Sequence, residues 1–125
     1  IEIADLREAT IPECRAIALF DVLHYMRPAW QEDLLRRAAA SLEPGGMLLL
    51  RETDTKPLWK HTMAVLTEYL AAVFRGDLLQ RFHCRSSEAW MALLGELGLT
   101  VELVGGASNS IVSSVLIVAR RPPAA

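Results

Sequence analysis

Apolar positions along this chain follow strand-like and helix-like rhythms in turn. Residues 1–4 (IEIA) alternate like a short strand, which Asp5, Leu6 and Arg7 end. Residues 6–14 are mixed and polar, contain Pro12, and read as a connection. Residues 16–20 (AIALF) form an unbroken apolar run, the pattern of a strand covered on both faces, as in a parallel sheet. Pro28 suits the first turn of a helix, where its missing N–H costs nothing. Leu34, Leu35, Ala38 and Leu42 then recur at helical spacing. Pro44-Gly45-Gly46 stops that helix and turns the chain. Residues 47–50 are a second buried-type strand, which ends in Arg51, Glu52, Thr53 and Asp54.

Trp59, Met63, Leu66, Leu70 and Val73 mark a long amphipathic helix that closes near Gly76. Its stripe predicts core packing, with an outer end lining a substrate pocket as the functional alternative. Residues 77–86 read as irregular, and Ser86 or Ser87 as the cap of a third helix. Trp90, Leu93, Leu94 and Leu97 form the apolar face of that helix, and Gly98 suits its left-handed end. Residues 100–104 and 111–119 are two strands whose connection is short enough for an antiparallel hairpin. The order β–β–α–β–α–α–β–β predicts an α/β fold: a mostly parallel sheet with one strand reversed by the closing hairpin.

Composition narrows the picture. The 125 residues suffice for a single domain, and 52% apolar content predicts a packed core. A net charge of −2 with mixed signs disfavours a nucleic-acid partner, which leaves a basic stripe. No apolar run approaches the roughly 18 residues of a membrane span, so no membrane partner is expected. Cys14 and Cys84 are isolated, with no disulfide framework or zinc spacing, and predict a reducing, cytoplasmic setting with no bound metal. The opening without Met reads as the interior of a strand in a longer chain.

Ligands of open α/β sheets bind beyond the carboxyl ends of the strands. Two such ends here are polar: Asp21 with His24 and Tyr25, and Arg51 with Glu52 and Asp54. One crossover helix joins the two strands, so the polar ends are expected to share one mouth. Each residue has a plainer reading. Asp21 caps a turn, His24 is a packed ring, Tyr25 is core or rim, and Glu52 and Asp54 are solvated loop charges. His83-Cys84 has no motif around it.

The segments ALFDVLHYM, a helix, and LEPGGMLLLRE, followed by the closing hairpin, resemble the second half of a class I S-adenosylmethionine-dependent methyltransferase. The resemblance covers essentially the whole chain and implies a Rossmann-like sheet whose N-terminal strands are missing. The whole chain is then one domain, the C-terminal part of a methyltransferase domain. The resemblance places Asp5 against the adenine amino group and Leu6 beside it. It puts Asp21 and Leu23 next to the donor. His24, Tyr25, Arg51, Glu52 and Asp54 fall on the acceptor side, with His24 as candidate catalytic base. It implies S-adenosylmethionine as cofactor, a small-molecule acceptor and methyl transfer as the activity. The chain departs from the family in two respects. Its seven glycines form no G-x-G loop. The acid that holds the ribose hydroxyls is also absent. The isolated chain is therefore expected to be inactive. Residues 16–20 are expected to have a bare edge, which invites a homodimer or is covered by residues 1–4. The alternatives are a degenerate, non-catalytic module acting in dimerisation or partner binding, and a nicotinamide-dependent oxidoreductase. The reversed closing strand and LEPGG disfavour the latter.

Overall fold

The computed structural model describes residues 3–53, 58–74, 83–106 and 114–124. Within them β1 (Cys14–Phe20), β2 (Leu42–Thr53), β3 (Thr100–Gly106) and β4 (Ser114–Arg120) form one sheet in the order β1-β2-β4-β3. β1 and β2 are parallel, joined by α1 (Pro28–Ser41), and β4 runs antiparallel to both β2 and β3. The closing hairpin therefore supplies the one reversed strand, and the architecture is the expected α/β sheet. Ser86 caps α3 (Ser87–Glu96), its side-chain oxygen accepting from the Ala89 N–H at 3.2 Å. Gly98 ends that helix with φ +83°, a conformation only glycine adopts without strain.

The core lies on one face of the sheet. Leu34 and Leu35 of α1 and Trp90 and Leu94 of α3 pack on Leu19, Leu48, Leu50 and Ile117. The two-residue period of β2 puts Leu48, Leu50 and Glu52 on this face, and all three are buried. The connection before β1 is tied down by α1. Arg37 donates to the carbonyls of Leu6 and Ala9, both at 2.6 Å, and the Ser41 hydroxyl donates to Ile11 O at 3.0 Å.

Four expectations are corrected. Ile3 and Ala4 are in no strand, and Ile3 is 98% exposed; Ile1 and Glu2 lie outside the described residues. Alternation alone makes no strand without a ladder partner, and Ile3 and Ala4 do not pair with β1. β1 is covered on one face only. It is the sheet's edge, Leu19 and Ile17 meet the core, and Ala16, Ala18 and Phe20 are exposed on the other side. The Pro-Gly-Gly motif does not precede β2 but lies inside it, looped out between the Cys14–Leu42 and Ala16–Met47 pairs. Gly45 there has φ +78°, and a Cβ on Gly46 would meet Arg15 O and Glu43 O at 2.9 Å, so both glycines serve this bulge.

The fourth correction concerns α2 (Leu58–Phe74). Met63, Leu66, Leu70 and Val73 are 39–49% exposed and belong to no core cluster, so these four positions are not core packing; the Trp59 side chain lies outside the described residues. α1 and α3 already close the covered face of the sheet.

Candidate functional site

β1 ends in a residue that turns the chain sharply. Asp21 has φ +57°, a left-handed conformation that its short polar side chain tolerates better than most. Its N–H donates to Arg51 O at 2.9 Å, and its carboxylate accepts from Arg51 Nη2 at 2.7 Å. The Arg51 guanidinium also lies over the Phe20 ring, 4.9 Å from its centroid. These contacts bind the carboxyl ends of β1 and β2 into one mouth, as the shared crossover helix implied.

The chain then makes a single helical turn, Leu23–Tyr25, before Pro28 opens α1. Glu52, the last core-facing residue of β2, reaches across to that turn. Its Oε1 accepts from the Leu23 N–H at 2.7 Å, and its Oε2 lies 2.8 Å from His24 Nδ1. Glu52 is 1% exposed and His24 5% exposed, so the contact between them is held out of water while the ring keeps a small exposed edge. An ionised carboxylate only accepts hydrogen bonds. Nδ1 therefore carries the hydrogen, and the neutral ring keeps its lone pair on Nε2. The His24 ring leans on Tyr25, with centroids 4.1 Å apart, and the Tyr25 hydroxyl donates to Glu68 of α2 at 3.2 Å.

A groove of about 510 Å³ opens beside this turn, lined among others by Asp5, Leu6, Asp21, Tyr25, Met26 and Trp30. The Asp5 carboxylate accepts from the Arg7 side chain and the Arg7 N–H, and these bonds hold its pKa down to about 2. The groove thus gathers Asp5, Leu6, Asp21 and Tyr25, while His24 and Glu52 pair in the buried layer behind it. Leu23 is fully buried. Its side chain belongs to the core, and its contribution to the mouth is the N–H given to Glu52. Asp54 lies outside the described residues.

Glu52 is not the solvated loop charge of the plainer reading, because it is neither exposed nor on a loop. Trp30 lines the groove, Gln31 bonds the His24 turn and Glu68 accepts from Tyr25; the sequence reading singled out none of the three. Gln31 continues the stripe of Leu34, Leu35 and Ala38, and a polar residue on a buried helix face was the available signal.

Cys84 borders the same cluster. Burial, and then the nearby Glu52 and Glu68 carboxylates, push its thiol up to about 11. At about pH 8 only about one thousandth of it is thiolate. Iodoacetamide is expected to label Cys84 about a hundredfold more slowly in the folded chain than in the urea-unfolded chain, with the rate climbing steeply with pH. Peptide mass spectrometry reads this directly, and equal rates in the two states would contradict the placement. The sign for stability follows: the thiol form is favoured on folding, so stability is lost as pH rises from about 9 through about 11.

Among the described residues no group of His, Cys, Asp and Glu could hold a metal ion, and no helix is long and apolar enough to cross a membrane.

No family model matches this chain. The carboxy-S-adenosyl-L-methionine synthase of Desulfotalea psychrophila is 42% identical over 48 residues, which is 38% of this chain and 20% of that protein. Solved structures similar in fold include the following three. Human N-acetylserotonin methyltransferase, in complex with S-adenosylmethionine, superposes with TM-score 0.68 and 23% identity over 97% of this chain and 33% of its own. An O-methyltransferase family protein from Burkholderia thailandensis gives TM-score 0.66 and 19% identity over 97% of this chain and 34% of its own. A SAM-dependent methyltransferase from Methanosarcina mazei gives 0.71 and 11% identity over 98% and 67%. This chain spans about a third of the length of the first two structures and a fifth of the curated relative.

Proposed function

We propose that this chain, which has the class I methyltransferase fold, forms the acceptor side of an S-adenosylmethionine-dependent methyltransferase. It acts on a small molecule, as part of a longer chain. The observation that carries the reading is the buried Glu52–His24 pair at the mouth of the sheet. Glu52 fixes the ring so that the lone pair sits on Nε2, the form a general base needs. When bound, the donor would supply a methyl group on a sulfonium, whose thioether needs no acid to leave. His24 Nε2 takes the proton of the acceptor hydroxyl or amine. The acceptor's lone pair bonds to the methyl carbon as the carbon–sulfur bond breaks. Holding the acceptor in line with the methyl group, away from water, supplies much of the remaining rate.

The groove supports the donor assignment in part. Asp5 offers a carboxylate to the adenine amino group, Leu6 and Trp30 offer apolar surface to the ring, and Asp21 flanks the donor. On this reading Tyr25, Arg51 and Glu52 fall to the acceptor side. The sequence has no G-x-G loop for the amino-acid end of the donor, so the groove fits one end of the cofactor only. A cytoplasmic setting goes with this reading, in keeping with two free cysteines.

A calorimetric titration with S-adenosylhomocysteine tests it, on this chain and on the longer chain that carries it. Binding by the longer chain alone is expected. Binding by this chain alone would contradict the assignment of only half a site. Binding by neither would favour a second reading, a non-catalytic module that self-associates. That reading draws on β1, which among the described residues has no strand on its outer edge, and whose Ala16, Ala18 and Phe20 are exposed. Light scattering after size exclusion is then expected to show a concentration-dependent dimer, and a monomer at every concentration removes that reading.

A further inference from the structure

Gln31 lies at the start of α1, is fully buried, and belongs to no part of the dyad. Its Nε2 lies 2.8 Å from Leu23 O, 3.1 Å from Met26 O and 2.8 Å from His83 O. Its Oε1 accepts from Arg85 Nε at 2.9 Å, and Arg85 also pairs with Glu32 at 3.1 Å. The orientation of the amide is forced. Turned over, its oxygen would face three carbonyl oxygens and its NH₂ would face a guanidinium. Leu23 and Met26 bracket His24 in the chain, and the His83 N–H donates to the carbonyl of His24 itself at 2.8 Å. One side chain thus ties both sides of the His24 turn to the segment that carries His83, Cys84 and Arg85.

We propose that Gln31 is the positioning residue for His24. Glu52 orients the imidazole from the sheet side, and Gln31 fixes the backbone that carries it from the helix side, through the carbonyls of Leu23, Met26 and His83. Packing alone does not ask for this residue. A buried amide is costly unless its polar atoms are satisfied, and here the described contacts employ both ends. Arg85 holds the amide oxygen, so the Arg85–Glu32 pair on the surface stiffens the same turn at one remove. The assignment of His24 as the residue worth positioning rests on the methyltransferase reading above.

The test is Gln31→Met, which keeps the volume and removes every hydrogen bond, so a packing role survives it and a positioning role does not. Amide hydrogen exchange and imidazole nitrogen NMR are read on the full chain. The His83 amide is expected to exchange at least about tenfold faster, while amides of β2 keep their protection, because only local bonds are lost. The His24 ring signal is expected to pass from one ring form to an average of both. Arg85→Met, at a half-buried site, keeps the test alive if Gln31→Met fails to fold; it is expected to show the same pattern with smaller changes. Unchanged His83 exchange and an unchanged ring in both variants would overturn the proposal, as would a uniform rise at all amides. Neither readout uses methyl transfer. Failure of S-adenosylhomocysteine to bind even the longer chain would therefore remove the enzymatic reading and leave the Gln31 contacts to be judged on their own.

Discussion

Glu52→Leu is expected to destabilise the fold by about 2–6 kcal/mol, because it strands two buried donors at ~1–3 kcal/mol each. The Leu23 N–H and His24 Nδ1–H both point at Glu52, and neither has water to fall back on. Leucine nearly fills the volume, so little of the cost is a cavity. Glu52→Gln separates stability from chemistry. Its amide oxygen still accepts from the Leu23 N–H, and its NH₂ then faces His24. The ring must present a lone pair at Nδ1 to meet it, so the hydrogen moves to Nε2. Glutamine is expected to cost under about 1.5 kcal/mol, the worth of a neutral bond against a charged one. Urea denaturation of the two variants measures both numbers. Equal losses would mean that Glu52 acts by its charge and not through these two bonds.

His24→Gln is expected to lower methyl transfer by about a hundredfold to ten-thousandfold, the usual worth of a positioned base. The measurement belongs on the longer chain, with S-adenosylhomocysteine affinity read beside it. Affinity is expected to stay within about threefold, because His24 does not line the groove that gathers Asp5, Leu6 and Asp21. Glu52→Gln is expected to share most of the rate loss, since its ring carries the hydrogen on the wrong nitrogen. A His24 variant with full rate would leave orientation alone as the source of catalysis.

Much of this architecture was legible because local rules fix it. The Ser86 cap, the left-handed Gly98 and the helical spacing of Leu34, Leu35 and Ala38 are signals confined to a few residues, and each is present. The shared mouth was legible from topology, since one crossover helix makes β1 and β2 neighbours. What failed depends on what covers a surface, which local pattern does not encode. The run at 16–20 has the composition of a strand buried on both faces, yet only Leu19 is buried. The stripe of α2 has the spacing of a core helix, yet Leu66 and Leu70 are about half exposed. Glu52 failed in the opposite direction. Counted in steps of two from Leu48, it falls on the core face, but a charge at a strand end reads as solvated until its partner His24 is seen across 28 residues.

The most direct test of the account is imidazole nitrogen NMR of His24 in the neutral ring. The bond to Glu52 requires the hydrogen on Nδ1 and the lone pair on Nε2, and Glu52→Gln is expected to show the reverse. A hydrogen on Nε2 in the unaltered chain would leave Nδ1 with nothing to donate to Glu52, and His24 could not then act as the base.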